Sequence, residues 1–300
     1  MKPENLETRI FLDSGDPAET REAIKLLGFL DGQTTNPSLI AKNPETAGKK
    51  FSKQEILDFY KKIVQEISQL IPDGSVSIEV YADAQTTSEQ MLEQGRQFYK
   101  WITPPSIPPH QGEGRSGGAH IKYPTTAEGL VAAERSVKEG MRVNMTLVFS
   151  QDQAAAVYAA TQGAQKGQVF LSPFVGRLDD RNENGMDLIK NIIEMYQGGD
   201  GHVEVLTASV RSLEHFKYAL ALGSDIITSP LKVIREWADA GMPVPGTDYV
   251  YNPSPTGVPV PPIPYVELDL EKDWNEYNIK HELTDAGIVR FAQDWNSLIQ

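Results

Sequence analysis

The sequence predicts an α/β fold, a single (β/α)8 TIM barrel with a C-terminal extension packing on the barrel. Two observations favour this class. Eight strand-like segments alternate with helix-like segments over about the first 240 residues, and such alternation implies a parallel sheet. The first strand is not followed by the Gly-x-Gly-x-x-Gly turn that an open doubly wound sheet typically carries. We expect residues 1–242 to form the barrel and residues 243–300 a proline-rich arm and helical tail of the same domain.

The first four strands are short apolar runs, each followed by a helix signal. One helix begins at Asp16, and a long helix begins at Ser52 in a capping box with Glu55. Thr125 and Glu128 have the same spacing and predict the start of the helix after the fourth strand. The predicted strands are Arg9–Asp13, Gly32–Asn36, Val76–Ala82 and Ala119–Tyr123.

The second half repeats this alternation. Ser150 with Gln153, then Ser212, then Ser229 with the following proline, each begin a helix after a strand. The predicted strands here are Arg142–Phe149, Gln168–Phe174, His202–Ser209 and Asp225–Thr228.

Two stretches lie outside the alternation. The Pro/Gly-rich stretch Thr103–Gly118 is too polar for a core and predicts a loop. Met242–Pro264 is proline-rich and predicts an extended arm over the surface. The tail beyond it has too many aromatic residues for a disordered segment, so we expect it to pack back on the barrel.

Composition excludes several kinds of partner and site. The chain has 28 basic and 41 acidic residues, a formal charge of −13 and no long basic patch, so nucleic acid is not an expected partner. No apolar run reaches membrane-spanning length and the N-terminus lacks the apolar core of a signal peptide, so we expect no membrane partner and a cytoplasmic location. With no cysteine and five scattered histidines, no metal site is expected.

Residue parity assigns each strand side chain to the helix-covered face or to the barrel interior. In the fifth strand, Val143, Met145 and Leu147 are expected to face the helices. A purely structural interior would be Val, Ile and Leu, whereas here polar residues collect where barrel enzymes keep their sites. A polar mouth satisfied by its own hydrogen bonds and water is the structural alternative. The polar residues near the C-terminal strand ends are Asp13, Asn36, Glu79, Lys122, Asn144, Thr146 and Ser172.

These residue types favour amine chemistry on a carbonyl compound. A lysine in a strand is usually a solvent-facing residue, but Lys122 lies among the inward polar residues. Desolvation would favour the neutral, nucleophilic form of such an amine, which can form a Schiff base. Asp13 and Glu79 are then available as acid and base. Arg177 and Arg211 each follow a strand end and could bind phosphate, the alternative being surface salt bridges.

Eight motifs together resemble the transaldolase family in its longer form with a C-terminal extension. They cover about residues 9–241 in family order. The resemblance implies an enzyme that transfers a dihydroxyacetone unit through a lysine Schiff base in the pentose phosphate pathway, without a cofactor. The donor would be sedoheptulose 7-phosphate or fructose 6-phosphate, and the acceptor glyceraldehyde 3-phosphate or erythrose 4-phosphate. The motifs are FLDSGD, DGQTTNPSLI, SIEVYAD, HIKYPTTAEGL, VNMTLVFSQDQA, FLSPFVGRLDD, LTASVRS and ITSPL.

The resemblance also implies residue roles. Lys122 would form the Schiff base, Asp13 would be the acid/base for carbon–carbon cleavage, and Glu79 with Thr146 would hold the catalytic water. Phe174 would shape the pocket. The residues implied to bind substrate hydroxyls are Asn36, Asn144 and Ser172, and those implied to bind phosphate are Arg177, Ser209 and Arg211.

The chain departs from the family pattern in three places. Tyr123 follows the lysine where the family usually has Ile or Val, which is expected to be a packing change. The Thr103–Gly118 loop is longer than the resemblance implies. The region from about residue 243 resembles the tail that lies over the barrel mouth in longer members, so we expect it to act as a lid.

Two other functions stay open. One is a fructose 6-phosphate aldolase-like enzyme, although such relatives tend to carry glutamine where this chain has Glu79. The other is a non-catalytic sugar-phosphate-binding barrel, which would need neither nucleophile nor acid. The expected partners are sugar-phosphate substrates, and the chain could act as a homodimer.

Overall fold

Eight parallel strands close into a barrel in chain order, with the first strand pairing with the eighth. The computed structural model describes residues 2–103, 117–253 and 260–300. The predicted fold class is confirmed. The strands are β1 Arg9–Asp13, β2 Gly32–Thr34, β3 Ser75–Glu79, β4 Gly118–Pro124, β5 Val143–Val148, β6 Val169–Pro173, β7 Val203–Thr207 and β8 Ile226–Ser229.

Helices follow the strands and cover the outside of the barrel. The sequence does not predict α2 or α7, because five residues hold too few apolar positions to show helical spacing. Short 3-10 turns cover Pro44–Thr46 and Trp274–Glu276. The α-helices are α1 Pro17–Leu27, α2 Pro37–Ala41, α3 Lys53–Leu70, α4 Ser88–Ile102, α5 Ala127–Lys138, α6 Gln151–Ala160, α7 Val175–Asp179, α8 Gly185–Tyr196, α9 Leu213–Ala221, α10 Leu231–Asp239 and α11 Glu282–Asn296.

Two of the predicted helix starts are wrong by a residue. Ser229 still belongs to β8, and Pro230 is the N-cap of α10. Ser52 and Glu55 form the expected capping box of α3, but α5 is capped by Thr126, whose hydroxyl accepts from the backbone of Gly129. Thr125 instead extends the pairing of β4 with β5, because both its backbone N–H and its hydroxyl donate to the carbonyl of Thr146. With two adjacent threonines, the longer strand ladder decides which of them caps the helix.

Aromatic side chains fill the lower part of the barrel. The rings of Phe11 and Phe170 meet edge to face with centroids 6.0 Å apart, and His120 stacks on Phe170 at 3.8 Å. Gly32 pairs with Phe11 in the sheet, and a Cβ atom there would lie 2.4 Å from the Phe11 ring. The absence of a side chain at Gly32 therefore makes room for an aromatic layer below the polar mouth.

Tyr123 packs on the outer side of β4, so its departure from the family pattern changes the packing there. It is fully buried, and its hydroxyl lies 3.0 Å from the Ser136 hydroxyl on α5. A Cβ atom at Gly95 on α4 would lie 2.0 Å from that hydroxyl, so the glycine creates the space that the larger side chain fills.

Strand β5 is irregular near its C-terminal end, and this corrects the prediction for Leu147. Its register against β6 shifts between Met145 and Val148, and Leu147 has a φ of 59°, a conformation unfavourable for a branched side chain. The irregularity directs Leu147 towards the C-terminal helix α11, where its side chain contacts Gly287, rather than towards the helices around the barrel.

The C-terminal region returns to the barrel and places α11 on its mouth. Gln153 on α6 donates to the Thr284 hydroxyl at 2.8 Å and to the Ile279 carbonyl at 3.1 Å. The Thr284 hydroxyl in turn donates to the Leu147 carbonyl at 2.9 Å. Most of the predicted loop, residues 104–116, and part of the arm, residues 254–259, lie outside the described residues. No helix in the described ranges has the length and apolar content to cross a membrane.

Candidate active site

A cavity of about 240 Å³ opens at the C-terminal ends of the strands. Polar side chains from β1, β2, β4, β6 and β8 form its floor, and α2 and α11 supply part of its wall. The predicted site residues that line it are Asp13, Asn36, Lys122, Ser172, Phe174, Arg177 and Ser209. Glu79 faces a separate space of about 10 Å³ under α11, a volume close to that of one water-sized probe.

Lys122 lies in the middle of β4, opposite Glu79 on β3. Its Nζ atom lies 3.0 Å from Oε2 of Glu79 and 5.8 Å from the centre of the Phe174 ring. The side chain is 3% exposed, which excludes the solvent-facing role usual for a strand lysine. The amine therefore lies at the floor of the cavity with a carboxyl group in contact.

Asp13 is held by a chain of hydroxyl groups. Burial raises the pKa of Asp13, while the charge of Lys122 and a hydrogen bond from Thr34 oppose that rise. The Thr34 hydroxyl donates to Oδ1 of Asp13 at 2.6 Å and lies 2.6 Å from the Thr228 hydroxyl. Because the Thr34 proton is used on Asp13, Thr228 is the donor in the second bond.

Burial also raises the pKa of Glu79, and the charge of Lys122 opposes that rise. The nearby Asp13 carboxyl adds to the rise, since two negative charges at one site repel each other. Two carboxyl groups whose ionised forms are disfavoured thus lie around one amine. Such an arrangement keeps a proton available in the site.

Asn144 lies behind the cavity and does not line it. Its Oδ1 accepts from the Ser172 hydroxyl at 2.7 Å, and its amide nitrogen donates to the Ser77 hydroxyl at 3.0 Å. Ser172 lines the cavity, so Asn144 orients it. The Thr146 hydroxyl is fully buried and has no hydrogen-bond partner among the described residues, so it can bind a small polar molecule.

The two predicted phosphate-binding arginines differ in their partners. Arg177 lines the cavity, half-buried, and burial lowers its pKa. Arg211 does not line it, because both of its terminal nitrogens bond the carboxylate of Asp180, with Nη2 at 2.6 Å. Ser209 lines the cavity with a φ of 59°, a strained conformation for a residue with a side chain.

Asn36 has a structural bond as well as a place in the cavity. Its Oδ1 caps α2 by accepting from the backbone of Leu39 at 2.9 Å. The capped helix contributes Ser38 to the wall, and its C-cap residue Lys42 also lines it. The sequence prediction missed this wall, together with Thr34 and Thr228. Strand parity could have identified Thr34, which is two residues from the inward Gly32, but no local signal identifies residues of α11 as part of the site. The missed α11 residues are Arg290, Phe291 and Asp294.

Comparison with known proteins decides the family. The model of the family described as Transaldolase/Fructose-6-phosphate aldolase matches residues 10–300. The chain belongs to this family. It is 34% identical over 290 residues to a probable transaldolase of Dehalococcoides mccartyi. The matched region covers 97% of this chain and 99% of the relative. It is also 34% identical to a probable transaldolase of a Thermoanaerobacter species, with 96% of each chain covered. A probable transaldolase of Anaeromyxobacter dehalogenans is 33% identical, covering 97% of both chains.

Proposed function

We propose that the chain is a transaldolase that moves a dihydroxyacetone unit from a ketose phosphate to an aldose phosphate in the pentose phosphate pathway. The donor would be sedoheptulose 7-phosphate or fructose 6-phosphate, and the acceptor glyceraldehyde 3-phosphate or erythrose 4-phosphate. The observation that carries the proposal is the buried Lys122 amine, in contact with Glu79 and facing a cavity that also contains Asp13 and Arg177.

The first step joins the enzyme to the donor. The lone pair of the Lys122 amine, available once a proton has left the nitrogen, attacks the ketose carbonyl carbon and forms a carbinolamine, which loses water to give a Schiff base. A proton must leave the amine and another must reach the departing hydroxyl. Glu79 can take part in both transfers, because burial raises its pKa and its carboxyl lies 3.0 Å from the amine.

The second step breaks a carbon–carbon bond. Asp13 removes the proton from the hydroxyl on the far carbon of that bond, this carbon becomes an aldehyde, and the bonding electrons pass into the protonated imine to give an enamine. The enamine then adds to the acceptor aldehyde, and Asp13 returns the proton to the new hydroxyl. A carboxyl whose pKa is raised by burial and held by the Thr34 hydroxyl suits both directions.

The last step releases the product by adding water to the new Schiff base. We assign this water to Glu79 and Thr146, since the Thr146 hydroxyl is buried with no hydrogen-bond partner in the described parts of the chain and Glu79 faces a space of about 10 Å³. Glu79 also favours a transferase over an aldolase that only cleaves its substrate. The family resemblance implies that fructose 6-phosphate aldolases carry glutamine at this position.

Substrate recognition follows from the cavity lining. Ser172 and Asn36 are placed to bond sugar hydroxyls, and Asn144 orients Ser172 from behind. Arg177 would receive the phosphate. Arg211 would join it only after leaving the carboxylate of Asp180.

Borohydride trapping with fructose 6-phosphate, followed by peptide mass analysis, tests the proposal. We expect a reduced three-carbon adduct on Lys122 that disappears when erythrose 4-phosphate is supplied. Steady release of free dihydroxyacetone without an acceptor would instead show an aldolase. An adduct on no lysine would refute the Schiff base and favour a binding-only barrel.

A further inference from the structure

We propose that Phe291 on α11 is a positioning residue that clamps the Arg177 guanidinium in the orientation that receives an anionic group of the substrate. The inference rests on the proposed function only in naming that group as a sugar phosphate. It gives the C-terminal helix a specific task in affinity for the phosphorylated end of the substrate.

The first argument is the environment of Arg177. Its guanidinium carbon lies 5.5 Å from the centre of the Phe174 ring and 5.5 Å from the centre of the Phe291 ring. Across the described part of the chain, no carboxylate lies within ion-pair distance of it. Nearby arginines do have such partners, since Arg211 pairs with Asp180 and Arg290 pairs with its neighbour on α11. Arg177 is therefore a cation held by aromatic faces and left free for an outside anion.

The second argument is how closely the backbone of α11 approaches Arg177. A Cβ atom at Gly287 would lie 2.9 Å from Nη1 of Arg177 and 2.6 Å from Cδ2 of Leu147. Gly287 precedes Phe291 by one helical turn, so both lie on the same face of the helix. This face covers the guanidinium, and a larger residue at Gly287 would displace it.

The third argument is that α11 is fixed near both of its ends. At the start, the Thr284 hydroxyl bonds the Leu147 carbonyl at 2.9 Å and the Gln153 amide at 2.8 Å. Near the end, the Ser38 hydroxyl on α2 bonds the Asp294 carboxylate. A side chain presented by an anchored helix restricts the flexible arginine before the ligand arrives, which lowers the entropy cost of binding.

The test compares Phe291→Leu, which keeps apolar bulk but removes the aromatic face, with Phe291→Tyr, which keeps that face. The KM for fructose 6-phosphate and the Kd for inorganic phosphate should rise about fivefold to thirtyfold in Phe291→Leu, from the usual strength of a partly desolvated cation–π contact. The KM for unphosphorylated fructose should stay the same. Phe291→Tyr should keep most of the phosphate affinity of the unmodified protein. Val289→Ala is the matched control, because Val289 lies on the same helix and is 52% exposed.

A double variant separates clamping from a general effect on packing. In an Arg177→Ala background, Phe291→Leu should cause no further loss of phosphate affinity. Equal rises in KM for fructose and fructose 6-phosphate, or a Phe291→Leu effect that persists without Arg177, would overturn the inference. The phosphate titration needs no turnover. If borohydride traps no adduct, the proposed function is refuted. The phosphate titration would still show whether Phe291 positions Arg177.

Discussion

The Nζ atom of Lys122 lies 3.0 Å from Oε2 of Glu79, and both side chains are almost entirely removed from water, at 3% and 4% exposed. Asp13 is a second carboxyl group close enough for the lysine to lower its pKa. Lys122 thus lowers the pKa of two acids whose ionised forms burial disfavours. Burial outweighs the nearby positive charge and raises the pKa of both carboxyl groups, so they hold their protons more tightly, as acid/base chemistry requires.

Replacing Lys122 by Ala should abolish turnover and borohydride labelling. It should also lower the free energy of unfolding near neutral pH by about 3 kcal/mol, since two buried carboxyl groups lose their cation. The lysine lowers the pKa of both, so its loss raises these values further. The destabilisation relative to the unmodified protein therefore grows as pH rises beyond the native pKa values of the two groups, which lie above the ordinary values of 3.8 and 4.5. Urea unfolding at several pH values measures this. Lys62→Ala, which breaks an exposed pair with Glu45, should cost under about 1 kcal/mol.

Replacing Asp13 by Asn should stabilise the protein while stopping carbon–carbon cleavage. The raised pKa of Asp13 means that the native state binds its proton more tightly than the unfolded chain does. Its ionisation therefore costs stability progressively as pH rises above 3.8, and a neutral amide avoids that cost. Thermal unfolding should show a gain over the unmodified protein that is small near pH 4 and larger at pH 7. A lower Tm for Asp13→Asn at pH 7 would contradict this.

Replacing Thr34 by Val should move the acidic limb of the activity profile to higher pH. The Thr34 hydroxyl stabilises the Asp13 carboxylate through a 2.6 Å hydrogen bond, and without it the pKa of Asp13 rises. Losing a hydrogen bond to a charged group should move the acidic limb up by about one pH unit. The measurement is kcat/KM against pH. Thr161→Val is the control and should leave the limb in place, because Thr161 is a buried threonine at the C-terminal end of α6 whose hydroxyl donates to the Val157 carbonyl.

Replacing Gly287 by Ala should weaken the binding of phosphorylated donors while leaving stability almost unchanged. Alanine favours a helix interior over glycine by about 1 kcal/mol, which offsets the crowding of Leu147. The new Cβ atom would lie 2.9 Å from Nη1 of Arg177, so the guanidinium must shift. We expect an almost unchanged Tm with a higher KM for phosphorylated donors. Gly198→Ala, where the nearest atom is 3.5 Å away, should change neither quantity.

Replacing Gln153 by Leu should loosen the C-terminal helix selectively. The side chain satisfies the Phe149 N–H at 2.7 Å as well as the Thr284 hydroxyl and the Ile279 carbonyl. Leaving these buried groups unpaired should cost about 2 kcal/mol or more. Hydrogen exchange should accelerate in α11 while the β4 and β5 amides stay protected. Uniform acceleration would mean that the tail and barrel open together.

The sequence predicts the barrel and its floor well because both depend on local periodicity. Alternation along β3, β4 and β6 is enough to place Glu79, Lys122 and Ser172 near one another, and the structure brings Glu79 and Lys122 into contact. Parity fails at Leu147, because a strand irregularity changes which face a residue occupies and leaves no local sequence signal.

Contacts between distant segments are the part that the sequence does not predict. Phe291 reaches the cavity only because α11 folds back over the mouth, and its spacing from Arg177 along the chain gives no indication of this. Arg211 illustrates a choice of partner. Its position after β7 suits phosphate, yet a carboxylate on a neighbouring loop is close enough to hold it in this structure.

The placement of α11 has a consequence during synthesis. The eighth strand ends at Ser229, so the ribosome must add about 60 further residues before Phe291 can reach the mouth. At ordinary translation speeds this takes roughly 3–12 s. A nascent barrel that closed early would spend that interval with its lysine amine uncovered and its arginine unclamped. Newly made chains would thus pass through a stage in which the cavity lacks the part of its wall that α11 supplies.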